Sequence, residues 1–161
     1  MNGPLSPMYT NEVSPEFLRS LDGPDFTEQQ IAQFAEQSQA IVRQQESLIK
    51  AHPTIAIFRF ATEGSQTRDG GVIQRGAVPV EITLEDGRTV RLAHKGDHAI
   101  YADGSTAQIV TGSGDASGNV ALVGSLLGNG DQIINTPQGA CIFHVREGVP
   151  MDEDFLPAIA D

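Results

Sequence analysis

Residues 119–138 read NVALVGSLLGNGDQIINTPQ, and the folding of this stretch decides the reading of the chain. Two short apolar segments, 120–123 and 133–134, are separated by Gly124, Gly128, Gly130 and Asp131. Apolar runs of four residues or fewer, bounded by Gly and Asn, are too short for useful helices and predict β-strands joined by tight connections. Glycine suits such corners because it reaches positive φ without a Cβ clash. Residues 87–97, GRTVRLAHKGD, repeat the pattern of residues 118–125, GNVALVGS. The chain therefore reads as a series of strand–turn units.

Outward from this stretch the same grammar continues. Residues 54–61, TIAIFRFA, predict a strand that opens the sheet. Residues 72–73 and 78–84 follow, with Val80, Ile82 and Leu84 sharing one face by alternation. Asp86-Gly87 and Asp103-Gly104 are hairpin turn signals, returning through residues 89–92 and 106–110. Residues 111–118, TGSGDASG, predict a flexible loop. Cys141 to His144 predicts a last strand. The acidic tail from Glu147 predicts an exposed end, with Phe155, Leu156 and Ile159 as a short docking segment.

Before Thr54 the pattern is different. Residues 1–13 lack periodicity and predict a start that is mobile or ordered only on a partner. Ser14-Pro15-Glu16 is a cap followed by Pro at the first helical position, and Asp22-Gly23-Pro24 ends that short helix. Residues 27–30, TEQQ, read as a capping box opening a helix over about 28–51, closed by His52-Pro53. Its stripe of Ile31, Phe34, Ile41, Leu48 and Ile49, weakened at Ser38 and Gln45, suits docking on the β domain, on a partner, or in a small coiled coil.

Composition narrows the function. A chain of 161 residues, 39% hydrophobic, buries one core and an appendage. The net charge of −11, with ten Lys and Arg, argues against nucleic acid and against anionic membrane surfaces. A single Cys permits no internal disulfide and fits a reducing compartment. No apolar run has the length of a spanning helix, and the start lacks the charged and apolar regions of a secretory signal. A protein of this kind is expected in the cytoplasm unless a machine exports it.

Three stretches, taken in order, resemble the PAAR family of small β domains. Residues 64–73, GSQTRDGGVI, resemble its opening Gly-Asp-x-Thr-x-His-Gly-Gly-x-Val, while residues 118–125 and Ile133-Ile134 fall in register with its later hairpins. The resemblance covers about residues 59–143 and implies a mainly β, compact, conical domain of short hairpin repeats. It sets the expected organisation: an N-terminal helical extension over 1–58, a PAAR-like domain over 59–145, and an acidic tail over 146–161. It further implies a non-enzymatic tip that caps the homotrimeric valine-glycine repeat spike of a type VI secretion or related contractile injection machine, one chain per trimer. Export would follow the apparatus, with residues 1–58 available to an effector or adaptor. The alternative is a small β-rich adaptor acting through its N-terminal helix.

Catalytic motifs are not found. Ser113 and Ser125 lie outside a nucleophile elbow, and the Gly112-x-Gly114 pair precedes no helix of the kind a dinucleotide loop needs. Asp97, Asp103 and Asp131 each neighbour glycine and read as turn residues bonding local N–H groups. His94, His98, Cys141 and His144 form a three-His, one-Cys set of the chemistry that suits tetrahedral zinc. Cys141 and His144 are three apart, so a bulge or turn would be needed to bring both to one ion. Members of the resembling family commonly hold zinc with three His and one Cys. In its register, however, Asp69 stands in the place of the opening His and Asn129 in that of a Cys.

Overall fold

The structure is a computed structural model and describes residues 8–23, 25–76 and 79–156. The expectations for residues 1–7, Pro24, Val78 and Ile159 fall outside them. The chain is mostly β with helices near its start, and it forms two units. The larger is built on Phe58–Phe143 with short segments from both ends of the chain, the smaller on Glu12–Ile57 and His144–Pro150. Among the described residues no helix is long and apolar enough to cross a membrane.

The smaller unit holds the helices. Ser14 caps α1 (Pro15–Leu21), its hydroxyl accepting from the Phe17 N–H at 3.1 Å, with Pro15 in the first turn as expected. The Thr27–Gln30 capping box opens α2 (Glu28–Ala32). The expected single helix is interrupted, however, and α3 (Glu36–Ala51) starts anew from Ala35, at φ −57° and ψ 150°. The interruption lets Ile31 become 1% exposed and sets the Phe34 ring edge-on against Phe26, with centroids 5.0 Å apart. A straight helix would have held both residues on the stripe of Ile41 and Leu48, which remain 55% exposed. Burying Ile31 and half-burying Phe34 offsets the few helical bonds given up.

Strand β1 (Thr54–Arg59) pairs with β7 (Ile142–Arg146), and the boundary between the units crosses both strands. In the larger unit β2 (Val72–Ile73), β5 (His98–Ile100) and β6 (Thr106–Gln108) form one antiparallel sheet, while β3 (Glu81–Thr83) and β4 (Thr89–Arg91) form a hairpin. The Asp86-Gly87 turn closes that hairpin as expected, with Gly87 at φ 89°. Of the face foreseen for Val80, Ile82 and Leu84, only Leu84 is buried; Val80 is exposed.

Three segments of the larger unit carry the same bonds. Each begins with a fully buried alanine, Ala61, Ala93 or Ala121, and passes through Gly64, Gly96 or Gly124, all at positive φ, to Ser65, Asp97 or Ser125. The side-chain oxygens of these last three accept from the N–H groups of Thr62, His94 and Leu122 at 3.0, 2.8 and 2.9 Å. A hairpin follows in each case. The N–H groups of Gly64, Gly96 and Gly124 donate to the carbonyls of Ile73, Ile109 and Ile133 at 2.9, 2.8 and 2.9 Å.

The segments also bond to one another in a closed cycle. The Ala93 N–H donates to the Ala61 carbonyl at 2.9 Å, Ala121 to Ala93 at 3.0 Å, and Ala61 to Ala121 at 2.9 Å. A second cycle runs through Gln74 to His98, Val110 to Leu126 and Ile134 to Gln66. Inside lie the three alanines and Ile73, Ile109 and Ile133, each 1% exposed, together with Ala99, Ala107 and Leu127. The middle hairpin is longer. Asp97 to Tyr101 is four steps, where Ser65 to Thr67 and Ser125 to Leu127 are two.

Segments read from composition as loose are bound in place. Tyr9 pairs with Thr136, and the Asn11 side chain accepts from the Arg59 N–H at 2.7 Å and donates to the Val123 carbonyl at 2.8 Å. The buried Arg59 guanidinium donates to the carbonyls of Gly139 and Thr10 and lies over the Tyr9 ring. The loop foreseen as flexible contains a 3₁₀ turn at Asp115–Ser117, with Asp154 accepting from the Asp115 N–H at 2.8 Å and Asp152 from the Ser117 hydroxyl at 3.2 Å. Phe155 does dock, against Phe58 and Phe143, with centroids 5.1 and 4.9 Å away.

Candidate functional site at the hairpin turns

The turns of the three hairpins are closed by matching bonds between Thr67 and Gly71, Tyr101 and Ser105, and Leu127 and Asp131. Their side chains meet. Asp131 is 0% exposed. Its Oδ1 accepts from the N–H groups of Gln132 at 2.7 Å and Asp69 at 3.1 Å, and its Oδ2 accepts from the Tyr101 hydroxyl at 2.5 Å. The Thr67 hydroxyl also bonds to this carboxylate. The Tyr101 oxygen in turn accepts from Asn129 Nδ2 at 3.1 Å, and Asn129 Oδ1 accepts from the Asp131 N–H at 3.0 Å.

Gly71 makes this meeting possible. A Cβ at that position would lie 3.0 Å from the Tyr101 ring and 2.9 Å from the Thr67 hydroxyl oxygen. The ring therefore lies across the first hairpin while its hydroxyl bonds to the third. Arg68 adds a bond from its guanidinium to the Gly130 carbonyl at 2.9 Å and pairs with Asp69 at 3.3 Å.

Burial pushes the Asp131 carboxyl up, but bonds from Thr67, Tyr101 and the Gln132 and Asp69 backbone outweigh it and hold the group below the usual aspartate range. Tyr101 is raised, by burial first and then by donating to that carboxylate. Both effects favour one arrangement, an ionised aspartate accepting from a protonated tyrosine. The three turn aspartates thus divide. Asp97 and Asp103 bond their own turns, Asp103 accepting from the Ser105 N–H at 2.9 Å, whereas Asp131 reaches two neighbouring hairpins.

The sequence-predicted metal residues are distributed differently. The ring of half-buried His94 has its Nδ1 2.6 Å from the Lys95 carbonyl, and His98 is exposed on β5. Cys141 is half-buried in the larger unit, where its N–H donates to Gln138 Oε1 at 2.7 Å. His144 belongs to the smaller unit, its Nδ1 3.3 Å from Thr54 Oγ1. Burial, followed by the charge of Arg146, lowers its pKa. Among the described residues no three His, Cys, Asp or Glu side chains are grouped so that they could hold a metal ion. Asp69 and Asn129, where the resemblance implied His and Cys, do lie together at the turns. They bring oxygen and amide groups already committed to internal bonds, without the imidazole or thiolate that zinc favours.

A second concavity lies within the smaller unit. A cleft of about 660 Å³ is lined by Arg19, Phe26, Val42, Arg43, Ile49 and Pro53, among others. Arg43 is held by Glu28 and Glu46 at 2.5 and 3.3 Å.

Comparison of the chain with protein-family models, characterised proteins and solved structures gives no match.

Proposed function

We propose that the larger unit is a conical, non-enzymatic tip that caps a homotrimeric valine-glycine repeat spike, one chain per trimer, in a contractile injection machine. The observation that carries this reading is the closed cycle of bonds through Ala61, Ala93 and Ala121. A single chain seated on a three-fold axis must offer three similar faces, and three segments bonded alike around a common core supply them. The resemblance of residues 64–73, 118–125 and 133–134 to the PAAR family supports the same partner. Residues 92–94 and 120–122 occupy equivalent places, with Phe60-Ala61-Thr62 as the third counterpart, whereas Gly70-Gly71-Val72-Ile73, which reads from sequence like a further strand unit, belongs to a hairpin. The role is mechanical. A dense network of main-chain bonds with little bulk resists deformation, and seating on the spike would cover strand edges that otherwise invite aggregation.

In this reading the smaller unit receives an effector or adaptor. Its cleft and the exposed Ile41 and Leu48 on α3 support that role. The chain would be made in the cytoplasm and exported with the apparatus. The test is light scattering after size-exclusion chromatography of the full chain mixed with the trimeric spike protein of the same genome. A complex of three spike chains and one of these is the expected result. A folded chain that elutes alone would overturn the cap and favour a small β-rich adaptor acting through its N-terminal helix.

A further inference from the structure

We infer that the turn end of the larger unit is fastened by a carboxylate–tyrosine lock, Asp131 with Tyr101, and that no metal is required to hold it. The lock joins all three hairpins. The third supplies Asp131, the second supplies Tyr101, and the first supplies the Asp69 N–H, the Thr67 hydroxyl and the space left by Gly71.

Fully buried carboxylates are costly unless each oxygen is bonded, and both oxygens of Asp131 are. Bonds from a hydroxyl and two backbone N–H groups to an ionised acceptor are of the stronger, charge-assisted kind. Tyrosine is suited to the reach because its rigid ring carries the donor across the first hairpin without rotamer freedom to lose beyond two angles. Asn129 then fixes the hydroxyl's direction by donating to its oxygen, so the Tyr101 proton is directed at Asp131. A zinc site brings strands together through side chains converging on one ion. Here the same convergence is achieved by one buried anion, with Asp69 and Asn129, which stand where the resemblance implies His and Cys, bonding to it and to Tyr101. The inference concerns cohesion of the unit and stands whether or not the chain caps a spike.

The test uses the full chain produced with zinc in the medium, followed by elemental analysis and thermal unfolding with and without EDTA. We expect far less than one zinc per chain and a Tm that the chelator leaves unmoved. Tyr101→Phe removes only the hydroxyl and is expected to lower Tm by roughly 4–10 °C, the loss of a bond to a charged acceptor in a chain of this size. Asp131→Asn should lower it further; should that variant fail to fold, Tyr101→Phe still decides the matter. A Tyr101→Phe protein that melts with the parent would overturn the lock. So would one zinc per chain whose removal lowers Tm. Neither readout depends on spike binding, so failure here and failure of the cap are separate results.

Discussion

Ala93→Leu is expected to leave the larger unit unfolded, or to lower its Tm by about 10 °C or more. Ala61, Ala93 and Ala121 are all fully buried, and each alanine's N–H is bonded to the carbonyl of another alanine in the cycle. A leucine there adds three carbons at a position where alanine is already fully buried. It must displace a neighbour or open the cycle. Overpacking alone typically costs about 1–3 kcal/mol, and each ring bond lost adds about 0.5–1.5 kcal/mol. The usual relaxation, a shift of one element, is closed off because moving any segment strains its bonds to the other two. Circular dichroism melts of the variant and of exposed Val80→Ala as control would measure this. A variant that melts within a few degrees of the parent would show that the ring is loosely packed.

Ile133→Ala carries the second large effect. Ile133 lies in the same core as Ile73 and Ile109, and its N–H and carbonyl hold the base of the third hairpin through Ser125 and Gly124. Truncation leaves the backbone bonds in place and removes three buried carbons, so the loss reads packing alone. Large-to-small changes of this kind cost about 2–5 kcal/mol, equivalent to roughly 5–15 °C in Tm for a chain of this size. Ile73→Ala and Ile109→Ala should cost comparable amounts, because the three occupy matching places. Calorimetry of the three variants checks this. A spread in which one is neutral and another unfolds would contradict their equivalence.

Much of the local structure was legible because it depends on near neighbours. The Ser14 and Thr27 caps, the Asp-Gly turns and the short strands follow from residues within a few positions of one another. The repeated pattern at residues 87–97 and 118–125 was also visible. The first copy, Ala61 to Ser65, was harder to see because its alanine reads as the end of the strand pattern at residues 54–61. The break between α2 and α3 has neither Pro nor Gly to announce it; tertiary packing of Ile31 and Phe34 selects it. The loop at 111–118 and the start at 8–11 look free by composition, and their partners lie far along the chain, at Asp152, Asp154, Arg59 and Thr136.

The site at the turns was the least legible. Asp131 reads from sequence like Asp97 and Asp103, an acidic residue beside glycine, and only burial between hairpins distinguishes it. Tyr101 stands just ahead of the Asp103-Gly104 turn signal, which draws the attention to the turn. A weak signal was present nonetheless, since one of only two tyrosines in the chain stands at the turn of the hairpin that faces a Gly-Gly pair. His94, His98, Cys141 and His144 share a zinc-binding chemistry, and that chemistry carries no information on distance.

The closed cycle also has a consequence in time. Its first and last partners are Ala61 and Ala121, so the final bond joins residues that leave the ribosome far apart. Hairpin turns such as those ending at Gly70 and Gly130 close over a few residues, whereas the cycle demands long-range contact and forms slowly. Pulse-labelled hydrogen exchange during refolding is expected to protect the amides of Gly70 and Gly130 before that of Ala61; the reverse order would refute this. Until the third segment emerges, the first two present unpaired backbone to any neighbouring chain. A newborn molecule therefore passes its most aggregation-prone interval with two-thirds of a ring made and nothing yet to close it.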